Sequence, residues 1–292
     1  MRPIFKDTNQ QAFFAENGYV IVDLLNADEL SDIRKSLTEM RPDDGFAPKG
    51  RASDYHCTFL DTNLDYKEAV YDLICKYFQP LLDRYVHEFT ILNGNFYVKP
   101  AGSGTFEIHQ NWHHNPRPQD TTLTIWCPLL DVTRKNGTLE VVPGSHKIVP
   151  DIATVNVPYY FKNFEQALLD KYLEPIPLKA GQGLLFDDSL IHYSSQNEGA
   201  EPRTAIQIET HPVEMQPVYY HIDREQPEAD FEVFEVSRSF FLNGNINNMT
   251  RRPEGLSSIG FQPNINKLLT EEEFLEKMAA GPTTRAELYA KT

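Results

Sequence analysis

The stretch "TLTIWCPLLDVTRKNGTLEVVPGSH", residues 122–146, decides how this chain folds. Residues 122–128 are β-branched and aromatic over a short run, the composition of a strand. Asn136-Gly137 and Pro143-Gly144 are turn dipeptides: glycine takes a positive φ without steric cost, and proline presets its own φ. Between them "TLEVV" reads as a second strand. The same rhythm continues in both directions. "FTILNGNFYVKP" (89–100), "EPIPLKAGQGLLF" (174–186), "LIHYSS" (190–195) and "RTAIQIETHPV" (203–213) are short runs parted by Gly, Pro and Asn.

Upstream the texture is helical. "TNQQAFFAEN" predicts a short helix stopped by Gly18, followed by a strand "YVIVDLL". Asn26 is a natural N-cap for "NADELSDIRKSLTEM", where Leu30, Ile33 and Leu37 give helical spacing. Residues 41–60 read as a loop, and "YKEAVYDLICKYFQPLLDRYV" as an amphipathic helical region interrupted near Pro80. The tail "TEEEFLEKMAAGPTTRAELYAKT" reads as a polar helix. Helices followed by a run of short strands predict an α+β, mainly β protein with a sandwich or barrel core. We read residues 1–292 as a single domain: an N-terminal helical and strand region over 8–89, a β core over about 90–212, and a C-terminal extension over 213–292.

Apolar residues make up 40% and charged residues 24%, enough for a sizeable core. The formal net charge is −15, so nucleic acid and anionic membrane are excluded as expected partners, since their phosphates meet a repulsive field. Cys57, Cys75 and Cys127 show no CxxC spacing, which predicts reduced thiols rather than a zinc site or a disulfide framework. No apolar segment suits a leader or a membrane span, so a cytoplasmic protein is expected. Oligomeric state is not written in the sequence.

The chemistry-bearing residues begin at "EIHQNWHH", 107–114. His109 and Asn111 are two apart, which on a strand puts both on one face. His192 lies far downstream, near the end of a strand that a barrel or sandwich can bring against His109. Two neutral imidazoles and one carboxylate are the ligand set of oxygen-activating non-haem Fe(II). Arg203, eleven residues beyond His192, can clamp a carboxylate in bidentate fashion, and Ser194 shares a strand face with His192. His87, His146, His211 and His221 carry no such partners.

The segments "HQNW…IWCPLLDVTRKNGTLEVVPGSHK" and "GLLFDDSLIHYSSQNEGAEPRTAIQ", with the opening "FFAENGYVIVDLLNADELSDIRKSL", closely resemble the phytanoyl-CoA dioxygenase family of Fe(II)- and 2-oxoglutarate-dependent oxygenases. The resemblance covers most of residues 10–212. It implies a double-stranded β-helix (jelly-roll, cupin-like) core with flanking N-terminal helices. It also implies an oxidoreductase that hydroxylates or otherwise oxidises a small molecule with Fe(II), O2 and 2-oxoglutarate as cosubstrate, releasing succinate. By position, His109 and His192 match the iron-binding histidines and Arg203 the residue gripping the distal carboxylate of 2-oxoglutarate, with Ser194 beside it. Trp126 matches an aromatic near the cosubstrate and Asn95 a further contact.

The family motif is HxD, and here it reads His109-Gln110-Asn111. An amide oxygen offers a dipole where a carboxylate offers a full charge. Four readings stay open: Asn111 coordinates through its oxygen; the change impairs catalysis and leaves an oxygenase-fold binding protein; Glu107 or Asp120 stands in; or chloride fills the place, as in halogenases, though asparagine leaves little room for it. Restoring aspartate at 111 is expected to tighten Fe(II). Residues flanking the metal should line the substrate pocket: His113, His114 and Arg117 after the first ligand, and Arg51, Tyr55 and His56 from the preceding loop. Several basic or titratable groups there suggest an anionic small-molecule substrate.

Overall fold

Strands with one apolar face and one polar face must cover the first and can use the second, and this chain does both. The computed structural model describes residues 3–48, 54–116, 121–148, 152–244 and 249–280. Its central sheet has six strands: β1 (Tyr19–Asp23), β2 (His56–Cys57), β3 (Phe89–Lys99), β5 (Leu123–Pro128), β8 (Gln182–Asp187) and β10 (Arg203–Pro212). They lie in the order β1-β8-β5-β10-β3-β2, and every pairing is antiparallel. A four-stranded sheet faces it: β4 (Phe106–His109), β9 (His192–Ser194), β6 (Glu140–Val141) and β7 (Glu174–Pro175), in the order β4-β9-β6-β7. The fold is a jelly-roll core, mainly β, with helices on its outside.

Alternate residues of the six-stranded sheet, such as Phe96, Ile125 and Ile206, point outward into one apolar cluster. That cluster takes the buried faces of α2 (Ala27–Glu39) and α3 (Leu64–Tyr85), through Leu30, Ile33 and Leu37 and through Val70, Ile74 and Phe78. Asn26 caps α2 as expected. Its side chain accepts from the backbone of Asp28 and Glu29, both at 3.0 Å, while Glu29 accepts from the Asn26 backbone at 2.8 Å. The interruption expected near Pro80 does not occur, since α3 runs through it. Pro80 sits on the exposed side, where the carbonyl one turn back can turn to water.

Gly94, midway along β3, lies under α3: a Cβ built there would stand 3.0 Å from the Ile74 side chain, so glycine lets helix and sheet approach. Beyond the core, β11 (Val218–His221), β12 (Phe231–Glu235) and β13 (Ser258–Gln262) form a third antiparallel sheet, which sequence reading had left as an undivided extension. The polar tail is helical over Glu271–Ala279; its last residues lie outside those described. Cys57, Cys75 and Cys127 are free thiols. Among the described residues no helix is long and apolar enough to cross a membrane.

Candidate active site

Strand pairing, rather than loop geometry, brings the two histidines together. β4 and β9 run antiparallel with His109 directly opposite His192, and their ring centroids are 4.0 Å apart. Phe106 stacks on His109 at 4.5 Å and Phe186 meets His192 edge-on at 4.9 Å, which fixes both rings. Each Nδ1 contacts the carbonyl two residues back, Glu107 O at 2.7 Å and Leu190 O at 2.9 Å. A proton on each Nδ1, donated to that carbonyl, leaves each Nε2 as a basic nitrogen ready to bind a metal. Burial holds both imidazoles below the usual histidine range, His192 down to about 4, and for His109 the neighbouring His192 adds to the effect. Two neutral, oriented imidazoles result.

Asn111 is placed differently from the simple strand picture, because β4 ends at His109. Its backbone N–H donates to Asp188 O at 3.0 Å. Its Nδ2 donates to Thr124 Oγ1 at 2.6 Å and reaches Asp188 Oδ1 at 3.5 Å. Thr124 in turn donates to Asp188 Oδ1 at 2.7 Å, and Thr122 donates to Asp188 Oδ2. Burial pushes the Asp188 carboxyl up to about 7, against the pull of those two hydroxyls. Among the described residues, no group of three His, Cys, Asp or Glu side chains is placed to hold a metal. Glu107 is exposed and belongs to no such group; Asp120 lies outside the described residues.

The inner face of the six-stranded sheet is a polar row. In register, β3 sets Asn95 opposite Gln207 and Lys99 opposite Arg203 on β10, and Gln207 faces Trp126 on β5. Arg203 is 3% exposed, and its guanidinium lies 5.3 Å over the Trp126 ring. Its Nε has no hydrogen-bond partner, and burial lowers its pKa to about 9. A buried guanidinium with an orphaned donor and no carboxylate beside it suits an incoming dicarboxylate. Asn95 Nδ2 donates to Gln207 Oε1 at 3.1 Å, which ties it laterally into this row.

Lys99 was missed by sequence reading. It is 2% exposed, and its Nζ donates to Ser194 Oγ at 2.6 Å, Ser194 O at 2.9 Å and Ser195 O at 2.7 Å. Burial first, then Arg203, lowers its pKa to about 6. Ser194 Oγ donates onward to Gly137 O at 2.9 Å. Gly137, the glycine of the "NG" turn, has φ 75°, and a Cβ there would stand 2.6 Å from Ser195 O. The turn needs glycine both for its conformation and for this approach. Lys99 could have been found from period-two alternation, since Asn95, Tyr97 and Lys99 share one strand face.

The expected substrate residues divide. Tyr55 stacks on Phe106 at 5.1 Å, which places it beside His109. His56 faces away, fully buried, with Nε2 3.0 Å from the Tyr66 hydroxyl and its ring against Phe46. Its partner in the ladder is Val98, on the outer face of the sheet, and that register turns it from the site. His113 contacts Ser189 Oγ at 2.9 Å and accepts from the Ala153 backbone at 3.2 Å; His114 contacts Val218 O at 3.1 Å and meets Phe241 edge-on. Both are committed to packing. Arg51 and Arg117 lie outside the described residues.

Comparison with known proteins bears on the fold and the family. SnoK, a non-haem α-ketoglutarate-dependent carbocyclase from nogalamycin biosynthesis, superposes with a TM-score of 0.58 at 17% identity over 72% of this chain and 86% of its own. EctD from S. alaskensis, solved with bound Fe, gives 0.50 at 22% identity, covering 72% and 78%. HygX from Streptomyces hygroscopicus, solved with nickel and 2-oxoglutarate, gives 0.50 at 15%, covering 71% and 88%. These likenesses establish the fold. The human peroxisomal phytanoyl-CoA dioxygenase is 29% identical over 120 residues, which span 37% of this chain and only 35% of that relative. The sequence model of the phytanoyl-CoA dioxygenase (PhyH) family matches residues 14–205, and the chain belongs to that family.

Proposed function

We propose that this protein is an Fe(II)- and 2-oxoglutarate-dependent oxygenase that oxidises a small molecule. The observation that carries the reading is the pairing of two oriented, neutral imidazoles with a buried, carboxylate-free Arg203 in one jelly-roll core. His109 and His192 would hold the metal through Nε2, with Asn111 as the third protein group. Arg203 would take the distal carboxylate of 2-oxoglutarate, with Ser194 and Lys99 beside it and Trp126 beneath the guanidinium. Bound iron would supply oxygen activation there, with 2-oxoglutarate giving two electrons, losing CO2 and taking one oxygen atom of O2 to become succinate, the other atom going to the substrate. The protein's own work is to place the cosubstrate, to keep both histidines unprotonated at neutral pH, and to present the substrate near Tyr55 and Phe106.

Lys99 and Arg203 lie side by side on the inner face; buried Glu140 acts on Lys99, while no carboxylate acts on Arg203. A dianionic cosubstrate would pair with Arg203 and favour the protonated form of Lys99. The test is anaerobic titration of the metal-free protein with Fe(II) and 2-oxoglutarate, followed by a substrate screen that reads succinate above the uncoupled background. A visible charge-transfer band needing both additions, and substrate-stimulated succinate, is the expected result. Metal and cosubstrate bound tightly with no succinate from any substrate would favour the binding-protein reading instead. Failure to bind either would overturn the proposal.

A further inference from the structure

We propose that Asp188 is a positioning residue for Asn111: its carboxylate stands behind the asparagine that replaces the acid of the HxD pattern, and it orients that side chain. The inference rests on the iron reading above and adds a role for residues that no motif marks.

Thr124 links the two side chains. Its hydroxyl has one proton, and with Asp188 in its carboxylate form, which the Thr122 and Thr124 hydroxyls favour, that proton goes to Asp188 Oδ1 at 2.7 Å. Towards Asn111, 2.6 Å away on its other side, the hydroxyl can only accept. The group of Asn111 facing Thr124 is therefore the donor, Nδ2, and its second proton leans towards Asp188 Oδ1 at 3.5 Å. With Nδ2 committed there, the amide is fixed and Oδ1 is kept off Thr124 and Asp188. Thr122 secures the second carboxylate oxygen, so the acid cannot swing out of line. The Asn111 backbone is fixed as well, by its bond to Asp188 O. Asp188 is 3% exposed and Thr124 fully buried, so water does not compete for these bonds.

This arrangement requires an amide. A carboxylate at 111 would set acceptor against acceptor at Thr124 and bring two acids within 3.5 Å in a buried site. The acid at 188 and the amide at 111 are thus a matched pair: exchanging both should work where exchanging one should not. Asn111→Asp alone, which from sequence is expected to tighten iron, meets Asp188 before it meets the metal.

The test is a four-member cycle of wild type, Asn111→Asp, Asp188→Asn and the double exchange, all as the full chain. Two quantities are read: the Tm without metal, and Co(II) affinity by calorimetry with its d–d absorption spectrum. Expected are a fall in Tm of roughly 5 °C for Asn111→Asp and recovery of most of it in the double exchange. Asp188→Asn should weaken Co(II) by about 10- to 100-fold and alter the d–d spectrum, because the amide is freed to rotate. The double exchange should bind Co(II) at least as tightly as wild type. If Asn111→Asp is recovered only as aggregate, soluble double exchange is the same rescue, and Asp188→Asn, similar in shape and less charged, still supplies the affinity arm. Additive effects around the cycle, or an unchanged Co(II) affinity in Asp188→Asn, would overturn the positioning role alone. A wild type that takes up no Co(II) would overturn the iron reading and this proposal with it.

Discussion

At the scale of single residues, the proposed function turns on two buried imidazoles and on a buried guanidinium with no carboxylate beside it. If Arg203 holds 2-oxoglutarate as proposed, Arg203→Ala should remove the bidentate clamp and leave the distal carboxylate unpaired in a dry pocket, an expected loss of about 2–5 kcal/mol of cosubstrate binding. Calorimetry with 2-oxoglutarate checks it, and unchanged affinity would remove Arg203 from the site; Arg203→Lys should keep part of the binding as a point charge. Lys99 supplies a pH signature. Its folded pKa of about 6 lies below that of an unfolded lysine, about 10.4, so between those values the unfolded chain binds more protons. Stability contributed by this group is therefore gained as pH rises from 6 and lost as pH falls back to it. Wild type should gain stability relative to Lys99→Met between pH 6 and 8 in denaturant titrations of the metal-free protein. A flat difference would show that Lys99 stays charged in the fold. His109, His192 and Arg203 were legible from spacing and residue type, whereas Asp188 was not. In "FDDSL" it looks like a turn acid, and nothing in the sequence shows that β5 brings Thr122 and Thr124 against it.

At the scale of elements, period and punctuation gave correct strands wherever a run had one apolar face, as in β3, β5 and β10, and correct caps at Asn26 and Gly18. Reading failed in two physical situations. Pro80 predicts an interruption in α3, but tertiary burial of Phe78 and Leu82 on either side holds the helix through it. The strands β11–β13 were left unread because β11 is buried at every position and so shows no alternation to detect. The contact of α3 with β3 carries its own prediction. Gly94→Val forces a side chain into the Ile74 contact, and overpacking of this kind costs about 1–3 kcal/mol. Thermal unfolding should show the fall, and Gly94→Val combined with Ile74→Ala should recover part of it. An unchanged Tm in the single variant would mean that helix and sheet slide apart freely.

At the scale of the whole molecule, the division into helices first and strands later is one of sequence and not of structure. β1 and β2, from the N-terminal region, are the two edges of the same six-stranded sheet that carries Trp126 and Arg203. Limited proteolysis should therefore give no cut near residue 90 that leaves two independently folded halves, since each half would lack strands of a shared sheet. Two stable fragments would refute the single-domain reading. The placement of β1 has a further consequence during synthesis. Its hydrogen-bond partner in the ladder is β8, which begins at Gln182, so the strand is complete long before anything exists for it to pair with. At ordinary ribosomal speeds that interval is on the order of ten seconds. Through it β1 is an unpaired edge, and the apolar faces of α2 and α3 wait for the sheet that will cover them. The nascent chain thus carries an open strand edge until β8 emerges, and the edge that closes the finished sheet is the part of it made first.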